Sequence, residues 1–260
     1  MRVVITRPAG DAQAWVDALQ AAGHQALALP LINVGPATDA QPVAQAWAQW
    51  SQFQAVMFVS AQAVRYFFHS QATGPTWTHG PRCWATGPGT HKALLEAGVP
   101  EAWINSPAAD AAQFDSEALW HRVSTQVQAG RPVLIVRGQD GEATERPVTG
   151  TGRDWLAQQI EGAGASVQFV VAYERRPPMW TAEQKEQAQQ AATNGSVWCF
   201  SSSQAIRHLG HMLPTQSWAK ARCIATHARI AQTAHALGFG EVQTSRPSMA
   251  DVLRSLESLA

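Results

Sequence analysis

Arg82-Cys83-Trp84-Ala85-Thr86 and Arg222-Cys223-Ile224-Ala225-Thr226 are nearly the same pentapeptide, and each runs on without a gap to a glycine, Gly98 and Gly238. A pair of such copies predicts a divergent duplication, which sets the architecture before any local reading and suggests a ligand held between two similar lobes. Other echoes agree with it. Gln62-Ala63-Val64-Arg65 recurs as Gln204-Ala205-Ile206-Arg207, and Val3-Val4-Ile5-Thr6-Arg7 recurs in kind as Val133-Leu134-Ile135-Val136-Arg137. The spacing between copies drifts, as loop insertions would leave it.

At 260 residues the chain suits two domains better than one core. With 45% hydrophobic and 15% charged residues it has the composition of a globular protein. The 19 basic and 19 acidic residues cancel, which argues against a nucleic-acid partner drawn by a global basic field. Any anion must then be met by local clusters or backbone amides. No apolar run approaches the roughly 18 residues of a membrane span, and the start, Met1-Arg2-Val3-Val4-Ile5-Thr6-Arg7-Pro8, is too short an apolar run for a signal peptide. A cytoplasmic location is the expectation. Cys83, Cys199 and Cys223 sit inside apolar runs and read as buried strand residues, neither a disulfide nor a metal set. The 11 tryptophans are scattered and read as packing.

Short apolar runs alternate with helical patterns throughout, which predicts parallel sheets flanked by helices. In the first half, strand 3–5 leads to a helix over 11–22 with Trp15, Leu19 and Ala22 on one face, ended by Gly23. Strand 133–136 and a helix over 154–163 repeat the plan. Strand and helix pairs follow at 55–59 with 61–69, 197–200 with 203–209, 83–85 with 89–97, and 223–225 with 229–237. Helices over 42–50 and 181–193 precede the middle strands. Two extended segments that run into prolines, 29–36 and 169–178, suit crossings between lobes, since proline removes a ladder donor. Two crossings make one domain discontinuous: residues 1–34 join 178–260, and 37–170 form the other lobe. Two contiguous halves with a linker near 125–131 is the simpler alternative.

Thr6-Arg7-Pro8 after the first strand, Phe58-Val59-Ser60-Ala61-Gln62-Ala63-Val64, Gly87-Pro88-Gly89-Thr90, Tyr173 at the end of an extended run, Phe200-Ser201-Ser202-Ser203-Gln204-Ala205 and the late Arg246-Pro247-Ser248 form an ordered series. In order and spacing the series resembles the uroporphyrinogen-III synthase family over nearly the whole chain. That resemblance implies an α/β fold of two flavodoxin-like domains, each a doubly wound parallel sheet, joined by a two-stranded β-ladder. It implies an enzyme that takes linear hydroxymethylbilane, removes its terminal hydroxyl as water, and closes the macrocycle with ring D inverted. No cofactor and no metal are expected for such a protein, and its partner is the linear tetrapyrrole. With both lobes in one chain, a monomer is the default.

A substrate with eight carboxylates has to be met locally by a protein of zero net charge. Turns that follow strand C-termini offer first-turn amides and the positive end of a helix dipole. The doubly wound sheet puts its ligands at that edge. The candidate binding residues are therefore Ser60, Ala61 and Gln62; Thr86, Gly87 and Thr90; Ser202, Ser203 and Gln204; and His227 with Arg229. Arg7 after the first strand is a further candidate, with a salt-bridged surface arginine as the plain alternative. Tyr173 is the candidate catalytic group, a phenol that is still a hydrogen-bond donor at neutral pH; aromatic packing is its alternative. Thr90 is equally well read as a helix cap. Eight residues before Gly238 stands Ile230, where the first copy has Thr90, so His227-Ala228-Arg229-Ile230 departs from the family's turn. A charged contact from Arg229 or His227 would replace the hydroxyl. Residues 139–152 read as a long loop, with a plain insertion as the first reading and a lid as the alternative. Gly87-Pro88-Gly89-Thr90 lacks the third glycine of a dinucleotide fingerprint, and no phosphate-loop motif occurs. The competing function is a non-enzymatic two-lobed protein closing on a small anion.

Overall fold

A computed structural model describes residues 1–70, 77–107, 116–141 and 152–259. In chain order the elements are β1 (Arg2–Ile5), α1 (Ala9–Ala21), β2 (Gln25–Ala28), β3 (Asn33–Pro36), α2 (Gln41–Ala48), β4 (Ala55–Phe58), α3 (Ala61–His69), β5 (Arg82–Ala85) and α4 (Pro88–Glu96). There follow β6 (Ile104–Asn105), α5 (Ser116–Val123), β7 (Pro132–Asp140), α6 (Gly152–Gly162), β8 (Ser166–Arg176), α7 (Ala182–Ala191), β9 (Val197–Phe200), α8 (Ser203–Met212), β10 (Arg222–Ala225), α9 (Ala228–Leu237), β11 (Glu241–Thr244) and α10 (Met249–Glu257).

The chain divides into two compact units, Met1–Val34 with Arg176–Ala260, and Gly35–Arg175. The first unit's sheet has the order β11-β10-β9-β1-β2, every pair parallel. Strand β1 is thus central, flanked by β2 and by β9 from the far end of the chain. Its side chains alternate in the way a doubly covered strand requires. Val3 and Ile5 join Val197, Cys199 and Ile224 against Val16 and Leu19 of α1 and Val252 and Leu256 of α10. Val4 turns the other way, with Trp198, Phe200 and Cys223, onto α7, α8 and α9. On that face Trp218 stacks on Phe239 at 5.2 Å, and Trp198 meets Trp218 edge-on at 5.4 Å.

The second sheet has the order β3-β8-β7-β4-β5-β6. Its pairings β4 with β5, β4 with β7, β5 with β6 and β7 with β8 are all parallel. Ala55, Met57, Trp84, Val133 and Ile135 cover one face together with Leu119 and Val123 of α5 and Leu156 and Ile160 of α6. Beside α3, Trp47 stacks on Trp50 at 4.6 Å and on Phe67 at 4.7 Å, so these tryptophans are packing residues. Full burial of a side chain such as Phe67 contributes about 1.5–3 kcal/mol.

The stretch 169–176 is not a free connection. It is the latter part of β8, pairing with β7 from Phe169 opposite Ile135 to Arg175 opposite Asp140, with β3 on its other side. Pro177 and Pro178 lie just past the strand, so no ladder donor is lost. Likewise 29–32 carries no strand, and β3 begins only at Asn33. Four elements went unread in the sequence: β6, α5, β11 and α10. The helix read over 154–163 begins two residues earlier, as α6 over Gly152–Gly162. The loop read over 139–152 falls outside the described residues from 142 to 151; residues 139 and 140 end β7. Among the described residues no helix is long and apolar enough to cross a membrane.

Candidate functional site

In the second unit the site residues gather where β4, β5, β7 and β8 end. Ser60 follows β4 as the N-cap of α3, its extended backbone (φ −165°, ψ 162°) turning the hydroxyl to accept from the Ala63 amide at 3.2 Å. Ala61 and Gln62 supply the preceding amides of that turn, which have no acceptor within the helix itself. The same Ser60 Oγ lies 3.2 Å from the phenol oxygen of Tyr173. One serine therefore caps the start of a helix and contacts the candidate catalytic hydroxyl. Tyr173 is 6% exposed, and its ring stacks on Tyr66 of α3 with centroids 5.9 Å apart.

Tyr173 reaches that place through an irregularity in the ladder. Val136 pairs with Val170 and Arg137 with Val171, but Gly138 pairs with Tyr173, leaving Ala172 as the extra residue of a bulge. The phenol ring then lies over Gly138, where no side chain projects.

After β5, the Thr86 hydroxyl points to the Val59 carbonyl at 3.4 Å, tying that turn to the end of β4. Gly87 is the N-cap of α4 and offers no side-chain cap; Pro88 opens the helix, where its missing N–H costs nothing. Thr90 is buried in the first turn, so it packs inward and does not cap. His91 beside it is held from two sides, by Ser106 Oγ at 3.0 Å and Glu101 Oε2 at 3.1 Å.

In the first unit the candidates again follow strand ends. Ser202 caps α8 by accepting from the Gln204 amide at 3.2 Å. Ser203 is buried, with its hydroxyl 3.5 Å from the Arg229 carbonyl, which links the starts of α8 and α9. His227 is the N-cap of α9 but makes no side-chain cap bond, and both His227 and Arg229 are exposed. Ile230 is buried like Thr90. The two copies therefore exchange a buried hydroxyl for buried methyls, and the charged residues of this turn stand outward. Arg7 is half-buried with its guanidinium 4.1 Å over the Trp15 ring. Burial lowers its pKa, and the charge of Asp11 opposes that shift. Thr6, which opens the ordered series of motifs, is buried and donates to the Cys199 carbonyl at 2.7 Å, fixing the end of β1 to β9.

Ser60, Ala61, Gln62, Thr86, Gly87, Thr90 and Tyr173 thus belong to the second unit, and Arg7, Ser202, Ser203, Gln204, His227 and Arg229 to the first. Sequence reasoning missed Gly138 and Tyr66. A glycine directly after Arg137 at a strand end was the available signal for the former, and the i, i+4 relation of Tyr66 to Gln62 for the latter. A helix start presents free backbone amides that can receive an anion, and a phenol such as that of Tyr173 can donate a hydrogen bond. Among the described residues no group of three or more His, Cys, Asp or Glu is arranged to hold a metal ion.

A family model described as uroporphyrinogen-III synthase HemD matches residues 13–254. The uroporphyrinogen-III synthase of Salmonella typhimurium is 28% identical over 265 residues, covering 99% of this chain and 100% of that protein. The one from Synechococcus elongatus is 28% identical over 178 residues, 68% of this chain and 61% of that protein. Among solved structures, the uroporphyrinogen-III synthetase of Helicobacter pylori aligns with a TM-score of 0.59 at 15% identity, with 100% of both chains covered. A mutant uroporphyrinogen III synthase of Thermus thermophilus aligns with a TM-score of 0.51 at 14% identity over 100% of this chain and 98% of that one. At such identities the two structures speak for the fold alone, mixed α/β with parallel sheets.

Proposed function

Because this chain belongs to the uroporphyrinogen-III synthase family, we propose that it is a cyclising lyase that converts hydroxymethylbilane to uroporphyrinogen III in tetrapyrrole and haem biosynthesis. Loss of the terminal hydroxyl as water leaves an azafulvene. Ring D attacks it at its already substituted carbon, and the spiro intermediate reopens and closes with ring D inverted. The same substrate closes unaided to the uninverted isomer, so the protein's task is to hold the chain ends in one geometry while easing departure of the hydroxyl. Orientation of this kind contributes up to about 7–11 kcal/mol in well-placed reactions.

The observation that carries the reading is Tyr173, its phenol held by Ser60 at the start of α3. On this reading Tyr173 donates to the leaving oxygen, and Ser60 keeps the phenol beside the amides of Ala61 and Gln62, which take a substrate carboxylate. Thr86 and Gly87 shape the neighbouring turn, with Thr90 packing behind it. Ser202, Ser203, Gln204, His227, Arg229 and Arg7 are the substrate-binding candidates of the first unit. The strand order β2-β1-β9-β10-β11, matched by β8-β7-β4-β5-β6 with β7 in the place of β1, supports a pseudo-duplicated pair of flavodoxin-like sheets. We read β3 and β8 as the ladder that joins them. The family model and both curated relatives carry the synthase name, so the non-enzymatic reading is set aside.

The test supplies hydroxymethylbilane, oxidises the products and separates isomers I and III. Isomer III above the no-enzyme control is expected; isomer I alone would reject the enzyme. Tyr173→Phe is expected to lower kcat about 10²-fold without abolishing turnover. Unchanged kcat/KM in that variant would remove Tyr173 from the chemistry.

A further inference from the structure

The phenol of Tyr173 is held at its oxygen by Ser60, but a single hydrogen bond leaves the ring free to swing about it. What stops the swing is found on β7. A Cβ added to Gly138 would lie within 2.6 Å of Cζ, Cε1 and Cε2 of Tyr173 alike. Near-equal distances to these three atoms put that carbon over the ring face at its hydroxyl end. Gly138 has no positive φ, so its backbone would accept any residue; the demand for glycine comes from the close approach alone. The contact exists only because of the bulge, which skips Ala172 and brings Tyr173 opposite Gly138.

We propose that Gly138 is a positioning residue for the reaction: the missing side chain and the bulge at Ala172 together set where the Tyr173 hydroxyl stands. The inference rests on Tyr173 serving the chemistry as read above. Three contacts then locate the phenol: Gly138 at the ring face, Tyr66 stacked at 5.9 Å, and Ser60 at the oxygen. Ordinary contact with a Cβ begins at 3.4 Å. An alanine at 138 therefore drives the hydroxyl end away by about 1 Å, a displacement that costs on the order of 10²-fold in rate when it falls on a catalytic group.

The experiment measures kcat and KM with hydroxymethylbilane for Gly138→Ala, Tyr173→Phe and the double variant, with melting temperatures for each. Gly138→Ala alone is expected to lose about 10²-fold in kcat with KM changed by no more than about threefold. In the Tyr173→Phe background the ring and its clash persist but the hydroxyl is gone, so adding Gly138→Ala is expected to cost nothing further in kcat. The same loss in both backgrounds, or wild-type kcat in Gly138→Ala, overturns the proposal. If Gly138→Ala does not fold, the variant Gly138→Ala with Tyr173→Ala is expected to fold and melt like Tyr173→Ala, because the ring is gone; failure to do so also overturns it. Wild-type kcat in Tyr173→Phe would instead reject the role of Tyr173. The clash itself would still be read from the melting temperatures.

Discussion

Replacing Ser60 by alanine removes one oxygen that two parts of the fold share. The first loss is the N-cap of α3: the Ala63 amide gives up its acceptor, which costs about 1 kcal/mol, within a range of roughly 0.5–2. The second is the partner of the Tyr173 hydroxyl, 6% exposed, worth about 1 kcal/mol net. About 2 kcal/mol in all lowers the melting temperature by roughly 4–8 °C for a domain of 150–250 residues. The two parts separate by substitution. Glycine is a fair N-cap, so Ser60→Gly gives up only a few tenths of a kcal/mol at the helix and keeps the full loss at Tyr173. Tyr173→Phe removes the hydroxyl and leaves the cap. Urea denaturation of the wild type, Ser60→Ala, Tyr173→Phe and the double variant closes a cycle whose coupling is expected near 1 kcal/mol. Tryptophan fluorescence is a suitable signal, since Trp47 and Trp50 pack on Phe67 of α3. A coupling below about 0.3 kcal/mol, the level at which independent sites add, would refute the shared-oxygen account.

The three cysteines make a prediction about alkali. Burial pushes the thiols of Cys199 and Cys223 up to about 12 from an ordinary 9.0, and raises that of Cys83 as well. An acid whose folded pKa is raised favours the native state fully below its unfolded pKa, and that stability is lost as pH rises toward the folded value. Urea midpoints should therefore fall between pH 9 and 12, and alanine at Cys199 and Cys223 should flatten the fall; an equally steep decline in that variant would exclude the thiols. Maleimide at pH 8 should label none of the three in the native protein and all of them in denaturant. Two glycines should behave oppositely. A Cβ on Gly240 would run into the backbone carbonyl of Ala219, which cannot step aside, so Gly240→Ala should cost at least about 2 kcal/mol. On Gly210, inside α8, it would meet only the Leu237 tip at 2.8 Å, and the gain in helix propensity of up to about 1 kcal/mol should leave Gly210→Ala near neutral. Equal melting temperatures for the two variants would show that the contact atoms do not govern the outcome.

Central strands and the helices after them were legible because burial on both faces demands unbroken apolar runs. Ala55–Phe58 and Val197–Phe200 are buried at every position. Edge elements carry weaker signals. β11 reads Glu-Val-Gln-Thr with both ends exposed, and β6 is two residues long, so neither stands out from a loop. Helix α10 did announce itself, through Ser248 accepting from the Asp251 amide and through Val252 and Leu256 four apart, but the stretch was weighed only as a family echo. At the site, strand-to-helix turns were readable one by one, since each is a local sentence of apolar run, small polar residue and helix. Which of them meet was not. The Ser60–Tyr173 contact spans 113 residues, and its counterpart at Gly138 depends on a one-residue slip between β7 and β8 that no local pattern encodes. Thr90 shows the remaining gap: a hydroxyl in a first turn looks like a ligand or a cap until packing shows it facing the interior.

The two points where the chain passes between units also govern the order in which it can fold as it leaves the ribosome. Gly35–Arg175 is contiguous and can close its sheet as soon as β8 is made. β1 cannot. Val3, Val4 and Ile5 are each 1% exposed in the finished protein, and one of their two neighbouring strands, β9, begins only at Val197. At about 5–20 residues per second, synthesis of that partner lags by on the order of 10–40 s. For the last part of that interval, once Arg175 has been made, the nascent protein carries a completed second unit behind an unpaired apolar strand. Slow translation near β9, or a truncation before it, should therefore be felt as aggregation seeded by residues 2–5, far from the site of the delay.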